Sequence, residues 1–149
     1  MDRRTFVKAG CLACLGITTA ASLLESCTAV RYAKAKLNDD GLLVDPKEFE
    51  TKHKGKLVYR NYVIIHHEEL KYPICIYRID ETEYSALLMK CTHQGAELQV
   101  SGDQLTCPSH GSEFDKAGIA MQGPATELLR SFPVTMSNGK LFIDLRIQS

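Results

Sequence analysis

The chain has 149 residues, a length that fits a single domain. Its 18 Lys and Arg residues balance 18 Asp and Glu residues, so no basic excess points to a nucleic-acid partner and no acidic tail points to disorder. With no Trp and only five Phe, the core has to be built mainly from Leu, Ile, Val and Tyr.

The first 27 residues have the layout of an export signal, because Arg3, Arg4 and Lys8 precede an uncharged stretch at residues 9–24. A helix needs about 20 apolar residues to cross a bilayer, and this stretch of 16 is shorter. A cleaved or lipid-anchored signal is therefore favoured over an N-terminal membrane-spanning helix. Cys11 and Cys14 lie inside the apolar stretch and are interpreted as part of the signal.

Two short motifs refine this interpretation. The run Arg3-Arg4-Thr5-Phe6 resembles the twin-arginine motif, whose export route carries folded proteins. The run Leu24-Glu25-Ser26-Cys27 resembles a lipoprotein cleavage box, although a small or apolar residue is usual where Glu25 stands. The sequence thus predicts a protein at the periplasmic face of the inner membrane in a bacterial cell envelope. Its anchor would be a lipid on Cys27 or the N-terminal segment itself.

Residues 28–40 are interpreted as a polar linker, and residues 41–149 as one folded domain. The domain shows no sustained helical period, and residues 127–130 are too short for more than one helical turn. The strands predicted from β-branched, aromatic and alternating residues are 42–44, 56–59, 62–66, 72–79 and 84–89. Asn138-Gly139 and Ser101-Gly102-Asp103 each predict a tight hairpin turn between further strands. The predicted fold class is a small antiparallel all-β domain of several short strands.

Three cysteines lie beyond the predicted signal, and this odd number argues against a disulfide framework. Cys75 lies in an alternating strand and is predicted to be a buried structural thiol. Cys91 and Cys107 each stand near a histidine, in a C-x-H motif with His93 and, 13 residues later, a C-x-x-H motif with His110. Two Cys and two His can hold either a tetrahedral zinc ion or a [2Fe–2S] cluster, although C-x-H is a tight spacing for zinc.

The two motifs, with their flanking residues, resemble the cluster-binding loops of Rieske proteins. These runs are Cys91-Thr92-His93-Gln94-Gly95 and Cys107-Pro108-Ser109-His110-Gly111-Ser112, and Gly123-Pro124-Ala125 resembles the loop that covers the cluster. The resemblance implies one [2Fe–2S] cluster per chain, with Cys91 and Cys107 on the inner iron and His93 and His110 on the exposed iron. It also implies that Ser112 donates a hydrogen bond to a bridging sulfide.

The chain departs from the Rieske subunits of cytochrome bc complexes at several positions. The disulfide that joins the two loops in those subunits would require cysteines at Ala96 and Ser109. Phe114 stands where those subunits usually have a Tyr that donates to a ligand sulfur, and Gln94 replaces an apolar residue. The loss of one donor predicts a reduction potential below the top of the range of about −150 to +300 mV.

The resemblance implies one-electron transfer within an oxidoreductase complex and not a stand-alone enzyme. The expected partner is a redox protein such as a cytochrome, or a membrane quinol-oxidising complex. An alternative is the small electron-transfer subunit of a periplasmic molybdenum oxidoreductase, and a remote one is a zinc-bound structural module. A complete ring-hydroxylating oxygenase is disfavoured, because only 39 residues follow His110 and none of them is His.

Overall fold

The computed structural model describes residues 32–146, so the predicted signal and Cys27 lie outside the described residues. The strands of this part of the chain, in order, are β1 (Ala35–Leu37), β2 (Gly41–Val44), β3 (Glu50–His53), β4 (Lys56–Tyr59), β5 (Tyr62–Ile65), β6 (Ile74–Arg78), β7 (Tyr84–Leu88), β8 (Gln99–Ser101), β9 (Gln104–Thr106), β10 (Glu113–Phe114), β11 (Ala120–Gln122), β12 (Ser131–Phe132), β13 (Val134–Ser137) and β14 (Lys140–Asp144). One short 3-10 helix, Pro46–Phe49, follows β2 and is capped at its start by the side chain of Asp45.

The strands form three four-stranded antiparallel sheets and one separate hairpin. The central sheet has the order β12-β7-β6-β5, and the two outer sheets have the orders β1-β2-β14-β13 and β11-β10-β9-β8. Strands β3 and β4 pair only with each other. The predicted fold class, a small antiparallel all-β domain, is confirmed.

Two hydrophobic cores lie on opposite sides of the central sheet, as the alternation of β6 shows. Ile74 and Ile76 belong to the first core, together with residues of β2 and β14. Cys75 and Tyr77 belong to the second core, together with residues of β9, β10 and the loops that precede β8 and β10. A strand buried on both faces explains why nearly the whole of β6 is apolar.

Most of the predicted strands are found within one or two residues of their predicted bounds. Asn138 and Gly139 have φ of +50° and +72°, as a type I′ turn between β13 and β14 requires. Strand β1 falls inside the stretch that was predicted to be a linker, where it pairs with β2. Residues 127–130 form no helical turn. Among the described residues, no helix is long and apolar enough to cross a membrane.

Candidate metal centre

Two loops with the same hydrogen-bonding pattern carry the predicted ligands. Loop 1 (residues 91–96) lies between β7 and β8, and loop 2 (residues 107–112) lies between β9 and β10. In each loop the cysteine carbonyl accepts from the glycine four residues later, and the cysteine N–H donates to the carbonyl five residues later. These N···O distances are 2.8 Å for Gly95–Cys91, 2.8 Å for Cys91–Ala96, 2.9 Å for Gly111–Cys107 and 2.8 Å for Cys107–Ser112.

The two glycines make these tight loops possible. Gly95 and Gly111 have φ of +76° and +78°, in the left-handed region that residues with a side chain rarely adopt. The turn of loop 1 reverses the chain two residues after His93, and that of loop 2 directly after His110. Both cysteines therefore lie at the base of their loops, and both histidines lie near the tips.

The burial of the four predicted ligands divides them into an inner and an outer pair. Cys91 is 1% exposed and Cys107 is 3% exposed, and both belong to the second core. His93 and His110 are exposed, with ring centroids 5.0 Å apart and ring planes nearly perpendicular. The structure thus brings all four side chains to one end of the domain, with thiols beneath and imidazoles above.

The pKa values of Cys107, in loop 2, and of the structural thiol Cys75 are shifted in opposite directions. Burial raises the pKa of Cys107, but backbone N–H groups of Ser109 and His110 point at its sulfur, and the net pKa is below the ordinary value. Burial raises the pKa of Cys75 to about 12, although Tyr77 lies beside it. The surroundings of Cys107 therefore favour the thiolate relative to those of Cys75.

A third segment, residues 122–127, lies over both loops and is hydrogen-bonded to each; we call it the covering segment. Its Ala125 N–H donates to Ser112 Oγ over 3.0 Å, and Thr92 Oγ1 of loop 1 donates to the Glu127 carbonyl over 3.0 Å. The Gln122 side-chain amide donates to the Gly111 carbonyl over 3.3 Å. The segment includes Gly123-Pro124-Ala125, the sequence that resembles the covering loop of Rieske proteins.

One residue that supports loop 1 was missed by the sequence analysis. The Tyr72 hydroxyl donates to the Gly95 carbonyl over 2.8 Å, and its ring lies beneath the ammonium group of Lys90. Tyr72 is 23 residues from Gly95 in the sequence, so no local pattern could have identified the contact.

The described cysteines form no disulfide. They are Cys75, Cys91 and Cys107, and Ala96 and Ser109 occupy the two positions where a loop disulfide would stand. Across residues 32–146, no three His, Cys, Asp or Glu side chains converge as ligands of a single metal ion. A dinuclear cluster needs two pairs of ligands, one pair on each iron, and not a group of three around one point.

The family model of the Rieske [2Fe–2S] domain matches residues 47–133, which include both loops and the covering segment. The chain belongs to the Rieske [2Fe–2S] family. Members of this family bind a [2Fe–2S] cluster and transfer electrons to or from other redox proteins. The Rieske domain of this chain therefore has the cofactor and the electron-transfer chemistry that its loop sequences predicted.

Relatives of this Rieske domain come from different electron-transfer systems. The ferredoxin component of the naphthalene 1,2-dioxygenase system of Pseudomonas putida is 32% identical over 76 residues, which are 48% of this chain and 72% of the relative. The iron–sulfur subunit of the cytochrome b6-f complex of Synechococcus elongatus is 34% identical over 55 residues, which are 36% of this chain and 31% of the relative. The match covers only 26% of an iron–sulfur subunit of the toluene-4-sulfonate monooxygenase system of Comamonas testosteroni. Among solved structures, the plasma membrane Rieske protein PetC3 of Synechocystis PCC 6803 aligns with a TM-score of 0.49 and 23% identity, over 56% of this chain and 86% of that one.

The residues of the two loops fit the cluster that the family binds. The donor set is two thiols and two imidazoles, which is the Rieske combination of two Cys on one iron and two His on the other. The depressed pKa of Cys107 favours the thiolate that binds iron. The exposed position of both imidazoles suits the iron that faces solvent and a redox partner.

Proposed function

We propose that Cys91, His93, Cys107 and His110 hold one [2Fe–2S] cluster, and that the protein carries single electrons between partners as a membrane-attached component on the periplasmic side. The observation that carries the ligand assignment is the pair of buried thiols beneath two exposed imidazoles whose centroids are 5.0 Å apart. The bound cluster supplies the one-electron redox chemistry, and the chain supplies its ligands, its partial shielding and its exposed edge.

The two kinds of ligand have different effects on electron transfer. Two neutral imidazoles in place of two thiolates reduce the negative charge around the irons, which favours the reduced state and raises the potential above that of all-cysteine clusters. The buried cysteines keep one side of the site dry, because they belong to the second core. His93 and His110 form the edge through which a docked partner exchanges electrons.

The membrane location is supported by the N-terminal sequence. Arg3-Arg4 resembles a twin-arginine signal, and Cys27 ends a stretch that resembles a lipoprotein cleavage box. Export of a folded protein suits this chain, because the cluster can be inserted in the cytoplasm before the thiols meet an oxidising compartment. We propose a redox protein partner, such as a cytochrome or a quinol-oxidising membrane complex.

The ligand assignment is tested by spectroscopy on the purified protein. We expect a red-brown protein with two irons per chain and the electron paramagnetic resonance spectrum of a reduced [2Fe–2S] cluster. Cys91→Ser and His110→Ala should abolish both signals, whereas the matched variant Cys75→Ser should keep them. A colourless protein with one zinc per chain, or loss of the cluster in Cys75→Ser alone, would contradict the assignment.

The location is tested separately by fractionation and mass spectrometry. We expect the mature protein in the membrane fraction with diacylglycerol on Cys27, and accumulation of the precursor in the cytoplasm when Arg3 and Arg4 are changed to Lys. An intact N-terminus in the membrane fraction would indicate an uncleaved anchor instead of a lipid.

A second candidate function is a carrier that delivers electrons to an oxygenase. The observation in its favour is that the match covers 72% of the naphthalene 1,2-dioxygenase ferredoxin. A cytoplasmic location without processing at Cys27 would favour this role over the periplasmic one.

A further inference from the structure

The β3–β4 hairpin differs from the rest of the domain in both its exposure and its charge. The eight consecutive residues 52–59 are all exposed, and neither strand pairs with any other sheet. Lys54 and Gly55 form its turn, with φ of +49° and +77°, so the tip is a tight two-residue reversal. None of the residues of β3 or β4 belongs to either core. The stability of the domain therefore does not explain which residues the hairpin carries.

The tip of the hairpin is basic, and the nearest acidic residue in the sequence, Glu50, lies at the base of β3. Lys52, Lys54 and Lys56 lie within five residues, and no Asp or Glu occurs from residue 51 to residue 67. None of these three lysines forms an ion pair, whereas Lys116 and Lys140 on other surfaces of the described chain do. In a chain of zero net charge, this concentration of unpaired cations marks a surface for an anionic partner.

Exposed apolar side chains accompany the lysines. Leu57 is 55% exposed and Tyr59 is 49% exposed, and both lie on the same face of β4 because they are two residues apart. Lys52, the cross-strand neighbour of Leu57, projects from that same face near the tip, and Glu50, the neighbour of Tyr59, projects from it at the base. Lys56 pairs with His53 and projects from the other face. Basic side chains beside exposed Leu and Tyr are typical of surfaces that rest in the headgroup region of a bilayer, where apolar area and attraction to anionic lipids add together.

The hairpin lies at the opposite end of the central sheet from loop 1. Arg78, at the last position of β6, packs over the Tyr59 ring at 4.6 Å and pairs with Tyr84, at the first position of β7. Loop 1 begins beyond Leu88, at the other end of β7. The two ends of this five-residue strand are about 14 Å apart at 3.4 Å per residue. A bilayer that contacts the hairpin would therefore leave the two exposed histidines facing away from it.

We infer that the tip of the β3–β4 hairpin is a docking site for an anionic lipid surface, and that this contact turns the cluster end of the domain toward a partner outside the bilayer. The inference rests on the proposed membrane attachment. Were Cys27 the lipidated residue, the five residue steps to Tyr32 would span at most about 17 Å. A tether of that length does not fix the orientation of the domain, so we infer that the hairpin contact does.

The inference is tested by vesicle binding with the full-length protein carrying Cys27→Ser, so that no acyl chain contributes. The basic and apolar residues 3–24 are present in every variant, so the differences between variants report on the hairpin. Vesicles of pure phosphatidylcholine are compared with vesicles containing 30% phosphatidylglycerol, as about a third of anionic lipid gives a surface of marked negative potential. We expect stronger binding to the anionic vesicles, and weaker binding as salt rises. The triple variant Lys52→Gln, Lys54→Gln, Lys56→Gln should lower the preference for anionic vesicles by at least about tenfold.

The matched control is the triple variant Lys34→Gln, Lys36→Gln, Lys71→Gln, which removes the same charge from three other exposed lysines. It should keep most of the preference, and Leu57→Ser should weaken binding to both kinds of vesicle. Equal losses in the two triple variants, or no preference in the parent protein, would overturn the inference. Because Cys27 is mutated throughout, failure of the lipid anchor itself would not change these outcomes.

Discussion

Ser112 connects two parts of the cluster site through a single hydroxyl. It is fully buried, and its Oγ accepts the N–H of Ala125 from the covering segment. A hydroxyl that accepts one hydrogen bond still has its own proton to donate. The donation to a bridging sulfide that the family resemblance implies is therefore compatible with the contact to Ala125.

Ser112→Ala is expected to lower both the reduction potential and the stability of the protein. The potential should fall because one donor to the cluster, which stabilises the more negative reduced state, is lost. The free energy of unfolding should fall by about 1–3 kcal/mol, since the Ala125 N–H is left buried without an acceptor. Protein-film voltammetry and urea unfolding measure the two effects, and the exposed Ser101→Ala variant is the control. An unchanged potential would contradict the donor role of Ser112.

The covering segment connects the two loops by hydrogen bonds, in a chain that has no disulfide between them. Thr92 of loop 1 donates a hydrogen bond to the segment. Gln122 of the segment donates to loop 2, and Ser112 of loop 2 accepts from the segment. The two loops are thus connected through a third piece of chain, in addition to the direct contacts of Cys91 with Cys107 and of His93 with His110. Loop 1 has an additional support in Tyr72, which holds the carbonyl of Gly95.

Tyr72→Phe is expected to loosen loop 1 without removing the ring that lies beneath Lys90. Loss of the hydrogen bond to Gly95 should reduce the free energy of unfolding by about 0.5–1.5 kcal/mol. It should also speed the loss of visible absorbance when an iron chelator is added, because the loop opens more often. Tyr84→Phe is a suitable control, since Tyr84 packs on Phe49 and no hydrogen bond of its hydroxyl is seen. Equal bleaching rates in the two variants would exclude a role for Tyr72 in holding the loop.

The sequence predicted those elements whose signals are local. The turn at Asn138-Gly139 and the alternating strand around Cys75 each lie within a few consecutive residues, and the structure contains both. The two Cys and His motifs are equally local, and each lies in a loop between strands. Strand β1 was missed because its three residues become a strand only by pairing with β2. The contacts of Tyr72 and Thr92 join residues 23 and 35 positions apart, so only the folded chain reveals them.

The domain formed by the described residues is organised around a central sheet that separates a structural core from the core beneath the cluster site. The first core joins this sheet to the sheet of β1, β2, β13 and β14, and contains none of the four predicted ligands. The second core contains Cys91 and Cys107, and joins the central sheet to the sheet of β8 to β11. Cluster binding should therefore stabilise mainly the second core, on one side of the central sheet.

Removal of the cluster should consequently destabilise one half of the domain more than the other. Metal binding contributes directly to the free energy of folding. The second core contains Cys91 and Cys107, so it is the core that cluster binding stabilises. After removal of iron with a chelator, we expect amide hydrogens in both loops and in β8 to β11 to exchange at least about tenfold faster, through local opening. Those of β2 and β14, which pair within the first core, should change little. Hydrogen–deuterium exchange with mass spectrometry of the two forms distinguishes this from a uniform rise across all strands, which would mean that both cores depend on the cluster as one cooperative unit.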